Sequence, residues 1–532
     1  MLRPLPARLS RPLSFVAIAA WIAQMSLLVH HSCVQAMPVA LAGELARYGS
    51  SAQWKGIYSR GEKLGFVVTQ TVPTDDGYEL QEDGQIQMSL MGAPTAARMK
   101  TSARVDRAFA LHSFAFSLDP GTGAIEVRGA LEGLRLQLTI KTPSGTRTET
   151  RDLPEAPSLS LNLSRRLAAE GLSPGKQITA TVFDPATLRN APMQIDVQAR
   201  EIVRAAGRPV PAFKVRMSFS GITSLAWVTD TGEVVREESP TGLMIVKETR
   251  ERATALAVPG EVQADLIESL SVKPSGARID EGTSVERLRL RLEGAPLASL
   301  DLQGAGQTVS GDVIEIVDPR LLKPGPADPE ARRQLQPEPF IESDAPEIVA
   351  EAQKAVQDTK GARARAEKLV RYVNALLDKK PTVSLPSARE VLRTRVGDCN
   401  EHTVLYVAMA RALGLPARIA VGLVYLRGAF YYHAWPEVYL EEPSGRGLWL
   451  PVDPTLNQFP ADATHLRLAR GGLDRQAAIL PLIGRVKMVV LDVQSQPGST
   501  PVLVGTGNQN FRPIEITIPK RASGGCWSSP SR

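Results

Sequence analysis

The first half of the chain alternates apolar and polar residues with a period of two. From about Trp54 to Ile316, apolar side chains recur at every second position, for example within 134–140 and 213–219. Successive side chains of a strand point to opposite faces of its sheet, so this pattern predicts strands with one buried and one solvated face. Turn residues such as Gly, Pro and Asp separate these segments, which favours antiparallel neighbours.

The pattern changes near residue 323. Five prolines lie within 323–339, and because proline interrupts helices and central strands, this segment is predicted to be a linker. Beyond it, apolar residues recur at helical spacing, as in Ala366, Leu369, Val370 and Val373, which predicts helices packed on a core. The predicted organisation is a β-rich domain at 37–258, a smaller β-rich module at 259–322, the linker at 323–339, an α+β domain at 340–490 and a tail at 491–532.

The first residues predict an export signal. Arg3, Arg8 and Arg11 precede an uncharged apolar run at 13–29, and small residues suit cleavage after Ala36. The apolar run is close to the shortest length that spans a bilayer, so an uncut segment would serve as a membrane anchor. We expect a signal peptide over the first 36 residues and a periplasmic or secreted protein, in contact with a membrane only if that segment is retained.

Composition narrows the class of protein. The hydrophobic fraction of 43% and the charged fraction of 22% are typical of folded soluble chains. The net charge of +6 comes from basic residues spread along the chain, so no nucleic-acid partner is expected. Three cysteines, Cys33, Cys399 and Cys526, are too few for a disulfide scaffold in an exported chain of 532 residues. At least one of them is therefore expected to act as a thiol.

Cys399 lies at a predicted helix start. Asp398 is a good N-cap, and Glu401 three residues later completes a capping box for a helix that runs to Leu413. The positive end of the helix dipole favours a thiolate, although the two carboxylates oppose it. A nearby base must therefore take the proton from the thiol.

Two further residues suit a relay with this thiol. The segments 418–425 and 430–440 predict a hairpin that carries His433, and a third strand, 447–452, ends at Asp453. In such a relay Cys399 attacks an acyl carbon, His433 takes and returns the proton, and Asp453 orients the imidazole. His402, one turn after the thiol, is a second candidate for the base.

The motifs around these residues resemble the bacterial transglutaminase-like superfamily. They are GDCNEH at 397–402, ALGLPAR at 412–418, HAWPEV at 433–438 and PVDPT at 451–455. The resemblance covers about 337–474 and implies a papain-like α+β fold with Cys399, His433 and Asp453 as its catalytic triad. The expected fold is thus an all-β antiparallel N-terminal half followed by a papain-like, transglutaminase-like domain.

The expected activity is thiol-dependent acyl transfer on a peptide or protein amide, with hydrolysis slightly favoured over transamidation. The alternative is an envelope binding or scaffold protein that retains a vestigial domain of this family. No cofactor and no metal are predicted, because no phosphate-binding glycine loop and no recognisable metal-ligand spacing occur. The β-rich half is expected to contact any envelope partner, and Trp435 and Trp449 are expected to fill the core.

Overall fold

The computed structural model describes residue 48 and residues 51–495, with gaps at 91–92, 122, 220–221, 240–241, 257–270, 281–283, 295–296, 298–299, 381–386, 472–478, 480–481 and 483–484. The predicted signal peptide, Cys33 and Cys526 lie outside the described residues. Within the described part of the chain, no helix combines the length and the apolar character that a membrane span requires.

One large antiparallel sheet forms the N-terminal half, as the alternating pattern predicts. The chain meanders outward from β1 to β8, crosses over through a helix, and returns from the far edge at β9 to β14, which pairs with β1. The strands of this sheet are β1 Gln53–Ser59, β2 Glu62–Pro73, β3 Gly77–Leu90, β4 Ala93–Asp106, β5 Leu111–Asp119, β6 Ile125–Glu132, β7 Arg135–Thr142, β8 Gly145–Asp152, β9 Gln177–Asp184, β10 Arg189–Ala205, β11 Arg208–Phe219, β12 Ile222–Val228, β13 Val234–Glu238 and β14 Leu243–Glu248.

The large sheet curls until its two halves share a core. Phe114 of β5 and Phe183 of β9 lie with ring centroids 5.4 Å apart, although many strands separate them within the sheet. Phe340, which precedes the helices of the C-terminal half, is buried in the same cluster. The Ser144 hydroxyl donates to Glu390 at 2.6 Å, which adds a polar contact between the two halves of the chain.

The C-terminal half combines helices with two small sheets. One sheet has the order β15-β26-β16-β18-β17, the other has the order β19-β24-β23-β22-β25, and β20 pairs with β21. These strands are β15 Ser275–Gly276, β16 Val285–Glu293, β17 Gln307–Ser310, β18 Val313–Val317, β19 Gly325–Pro326, β20 Asp378–Lys379, β21 Val396–Gly397, β22 Ala417–Leu426, β23 Ala429–Glu441, β24 Arg446–Pro451, β25 His465–Arg470 and β26 Lys487–Ser495.

The helices of the C-terminal half fall close to the predicted positions, whereas the helices at Ser160–Ala169 and Arg250–Thr254 lie in the half that was predicted to contain strands. The cap of the short helix before the site is Ser387, whose side chain accepts from Glu390 N, and the helix that begins at Cys399 ends at Ala412. The α-helices are α1 Ser160–Ala169, α2 Arg250–Thr254, α3 Pro346–Ala355, α4 Ala362–Leu376, α5 Ala388–Thr394 and α6 Cys399–Ala412, and short 3-10 helices form at Pro319–Leu321 and Ala331–Leu335.

The sheet that contains β16 packs on the α+β domain. Leu288 and Leu290 of β16 belong to the same hydrophobic cluster as Val404 and Leu405 of α6. Strand β26 pairs with β16 and runs across residue 490, so strand pairing joins segments that the predicted boundaries at 322 and 490 separate. Those boundaries remain predictions.

The proline-rich segment lies against the α+β domain. Ala331 is buried with Tyr439 and Trp449, and Arg411 donates to the Gln336 carbonyl at 2.6 Å. The segment also contains the two-residue strand β19 and a short 3-10 helix at Ala331–Leu335, so its residues contribute to the packing. The expected order of a mostly antiparallel β half followed by an α+β domain is confirmed.

Candidate active site

Helix α6 begins at Cys399, as its capping residues predict. The Asp398 side chain accepts from Asn400 N at 3.0 Å, and the Glu401 carboxylate accepts from Asp398 N at 2.9 Å. The predicted capping box is therefore present. Because these bonds hold the first turn from both sides, they fix where the Cys399 side chain leaves the helix.

The body of α6 is buried and attached to strand β23. The Thr403 hydroxyl donates to the Ala434 carbonyl at 3.0 Å, and Tyr406 donates to the Ala366 carbonyl at 3.2 Å. A backbone hydrogen bond from Ala434 also reaches the Cys399 sulfur. Cys399 thus lies beside Ala434, the residue that follows His433, although Cys399 and Ala434 are 35 positions apart in sequence.

His433 and Asp453 form a buried hydrogen-bonded pair. His433 Nε2 lies 2.7 Å from Asp453 Oδ2, and the other carboxylate oxygen accepts from Thr455 N at 2.7 Å and Leu456 N at 2.9 Å. Burial alone would raise the pKa of Asp453, but the charge and hydrogen bonds of His433 and His465 outweigh it and hold that pKa well below its usual range. Asp453 is therefore a carboxylate, His433 donates to it through Nε2, and Nδ1 is the ring nitrogen that can exchange a proton with a thiol.

The Cys399 thiol does not ionise readily without help. Burial raises the pKa of Cys399 well above its usual value, and Asp398, Glu401 and Asp453 raise it further, against the single opposing bond from Ala434. A reactive thiolate at neutral pH consequently requires protonated His433 as its counter-ion.

A third side chain, His465, joins this site, and the sequence analysis did not identify it. His465 Nε2 lies 3.1 Å from Asp453 Oδ2, the oxygen that His433 also contacts. His465 lies at the start of β25, which pairs with β22. It is not part of any of the four family motifs. A signal existed, because histidine is rare in this chain, with six in total, and a buried strand histidine needs a partner.

His402 is close to the site but has different partners. It is fully buried, its Nδ1 lies 2.7 Å from the Asp398 carbonyl, and its Nε2 has no hydrogen-bond partner among the described residues. Burial lowers its pKa. The structure pairs Asp453 with His433 and not with His402.

The two tryptophans are core residues, as predicted. Trp435 is buried between the histidines: its ring stacks on His433 at 6.0 Å and meets His465 edge-on at 5.2 Å. Trp449 lies on the neighbouring strand β24, where its indole N–H donates to Asp328 at 2.7 Å. Trp435 therefore shapes the site, whereas Trp449 holds the proline-rich segment.

Three of these groups also have a spacing that a metal ion could bridge. The ligand atoms of His433, Asp453 and His465 all lie within 4.8 Å of one another. Hydrogen bonds at 2.7 and 3.1 Å account for this clustering if both imidazoles donate to the carboxylate.

Comparison with known proteins agrees with the resemblance. Residues 346–454 match the family model of the transglutaminase-like superfamily, so this part of the chain is a transglutaminase-like domain. The domain supports assignment to a thiol-dependent class of enzyme. No curated protein matches the sequence.

Solved structures give distant likenesses. A candidate cysteine protease from Cytophaga hutchinsonii is 16% identical, with a TM-score of 0.25 over 43% of this chain and 81% of that one. The periplasmic domain of TgpA from Pseudomonas aeruginosa, bound to ethylmercury, is 19% identical, with a TM-score of 0.23 over 34% of this chain and 92% of that one. At these scores neither likeness bears on activity.

Proposed function

We propose that the protein is an exported cysteine-nucleophile enzyme that acts on peptide or protein amides. Cys399 attacks the amide carbonyl and forms a thioester, and His433 passes the proton to the departing amine. Water, activated by the same imidazole, then releases the acid and restores the thiol. The backbone N–H of Cys399 is the proposed oxyanion donor at the helix start.

The observation that carries this proposal is the 2.7 Å bond between His433 Nε2 and Asp453 Oδ2. It orients the imidazole so that the other ring nitrogen can take a proton from a thiol whose pKa is raised. A buried His–Asp pair in a purely structural role would have no reason to stand beside the start of a capped helix that carries a cysteine.

Hydrolysis is the favoured outcome for the thioester. Water is always available, whereas transfer to an amine requires a site that binds the amine and excludes water. The export signal predicted from the sequence supports action in the periplasm or outside the cell, with membrane contact if the signal is uncut.

The scaffold alternative has one specific observation in its favour. The raised pKa of Cys399 is what a silent thiol would also show, and the sheet from β1 to β14 offers a large surface for an envelope partner. A scaffold, however, would gain nothing from the pairing of His433 with Asp453.

The test is a turnover assay with the purified exported protein and unfolded casein, with and without monodansylcadaverine as the amine. New peptide termini that Cys399→Ala does not produce would indicate hydrolysis, and dansyl incorporation would indicate transamidation. A dipeptide-fluorophore library widens the search for a cleavable amide. If wild type and Cys399→Ala are equally inert and Cys399 resists alkylation at neutral pH, the enzyme proposal fails and the scaffold alternative replaces it.

A further inference from the structure

Asp453 Oδ2 accepts hydrogen bonds from two imidazoles, and a Cys-His-Asp relay uses only one of these imidazoles. His433 Nε2 lies at 2.7 Å and His465 Nε2 at 3.1 Å. Both rings are buried, and so is the carboxylate. The second imidazole is therefore a built part of the site that the relay leaves without a role.

His465 is held on its other side by a second carboxylate. Its Nδ1 lies 3.4 Å from Asp462 Oδ1 and 3.3 Å from the Asp462 carbonyl. Asp462 is fixed in turn by Thr464, whose backbone N–H and hydroxyl donate to it at 3.0 and 2.5 Å. Both ring nitrogens of His465 thus face acceptors, which suits an imidazole that donates from both.

The charges around His465 agree with this geometry. Burial alone would lower the pKa of His465, but hydrogen bonds and charge from Asp453 and Asp462 raise it to about 9. Arg320, in the short helix at 319–321, interacts electrostatically with Asp462. The centroid of the His433 ring, on β23, lies 6.0 Å from that of the His465 ring. His465 is the cation that stands between the buried Asp453 carboxylate and the partly buried Asp462 carboxylate.

We propose that His465 is a positioning residue of the active site, which ties the Asp453 carboxylate to Asp462 and so presents Asp453 Oδ2 to His433. The inference rests on the proposed function, because positioning matters only if His433 serves Cys399. Without a cation between them, the carboxylates of Asp453 and Asp462 would repel each other, and this repulsion would favour protonation of one of them. Loss of His465 would then weaken the hold of Asp453 on His433.

The experiment uses iodoacetamide labelling of Cys399 from pH 5 to pH 9 in the exported protein carrying Cys526→Ser. The wild-type rate is expected to have a plateau around neutral pH, where the thiolate pairs with protonated His433. In His465→Leu the neutral rate should fall about tenfold or more, the effect of losing one hydrogen bond to a charged group. The plateau should give way to a rate that rises only at alkaline pH.

Two variants separate positioning from general damage. His465→Gln keeps one N–H donor for Asp453 and should recover part of the neutral plateau. Arg411→Met removes a buried cation that bonds Glu338 and the Ala417 carbonyl, away from Asp453. It should lower the melting temperature and leave the plateau intact. Equal profiles for wild type and His465→Leu would overturn the proposal.

A stability cycle keeps this inference distinct from the proposed function. The melting temperatures of His465→Leu, Asp453→Asn and the double variant should be non-additive, because the two side chains share a bond. A wild type without a neutral plateau would count against the proposed function, and the cycle would still decide whether His465 holds Asp453. Additive changes would overturn the inference. So would a stoichiometric divalent metal that is lost in His465→Leu, since it would make His465 a ligand.

Discussion

Replacing His433 by Ala should abolish the neutral reactivity of Cys399. In the folded protein, burial and three nearby carboxylates hold the pKa of the thiol well above 9.0. The ionised fraction falls about tenfold for each unit that the pH lies below the pKa, so less than about 1% of such a thiol is ionised at pH 7. In the proposed relay His433 takes the proton of this thiol, and His433→Ala leaves the thiol without that acceptor. The expected loss of labelling rate at pH 7 is therefore about 100-fold or more.

The assay is alkylation by iodoacetamide, followed by mass spectrometry of the Cys399 peptide in a Cys526→Ser background. Thermal unfolding of each variant verifies that the fold is retained. The matched control is His402→Gln, which removes the other histidine near the thiol and should change the neutral rate less than about threefold, since His402 has no hydrogen bond to Asp453. Equal neutral rates in wild type and His433→Ala would refute the ion pair. A larger loss in His402→Gln than in His433→Ala would transfer the role of base to His402.

Two further predictions concern the framework of the site. In Gly422→Ala, on the strand opposite His433, the new Cβ would lie 2.0 Å from the Leu466 carbonyl oxygen, so the free energy of unfolding should fall by about 1–3 kcal/mol. Gly325→Ala, which has open space, should leave it unchanged in the same urea titration. Burial would raise the pKa of Glu437, but Arg467, Arg470 and Arg418 outweigh it and lower it to about 2. Glu437→Gln should therefore cost about 3–5 kcal/mol at pH 7. This contribution is present above the unfolded-state pKa near 4.5 and is lost as the pH falls toward 2, so the wild-type advantage in urea should shrink over that interval; an advantage constant from pH 7 to pH 3 would contradict the assignment.

Local sequence signals predicted most of the elements. Asp398 and Glu401 marked the start of α6 because capping depends on residues three positions apart. Alternation marked β7 and β11, since each strand buries one face, and the hairpin around Arg427 and Gly428 followed from its turn residues. These features depend on contacts between residues close in sequence, which a single chain displays directly.

The pairing of strands that are distant in sequence could not be predicted from the sequence. Nothing in 487–495 indicates that it pairs with 285–293, because a strand's own pattern shows which face is buried and not which strand lies beside it. The return of β14 to β1 and the curl of the large sheet are further examples. The prolines in 323–339 predict a linker, but the burial of Ala331 within this segment depends on side chains more than 100 positions away.

The sequence by itself determined which residues are proposed for catalysis: a thiol at a capped helix start, a histidine on a strand, and an aspartate after the next strand. The tertiary structure decided the pKa values and hydrogen-bond partners of the side chains in the site. Burial and carboxylates raise the pKa of Cys399, two imidazoles keep Asp453 ionised, and Asp462 holds His465 in place. Such effects depend on distances of a few ångströms and on the removal of water, and neither quantity is encoded in the spacing of residues along the chain.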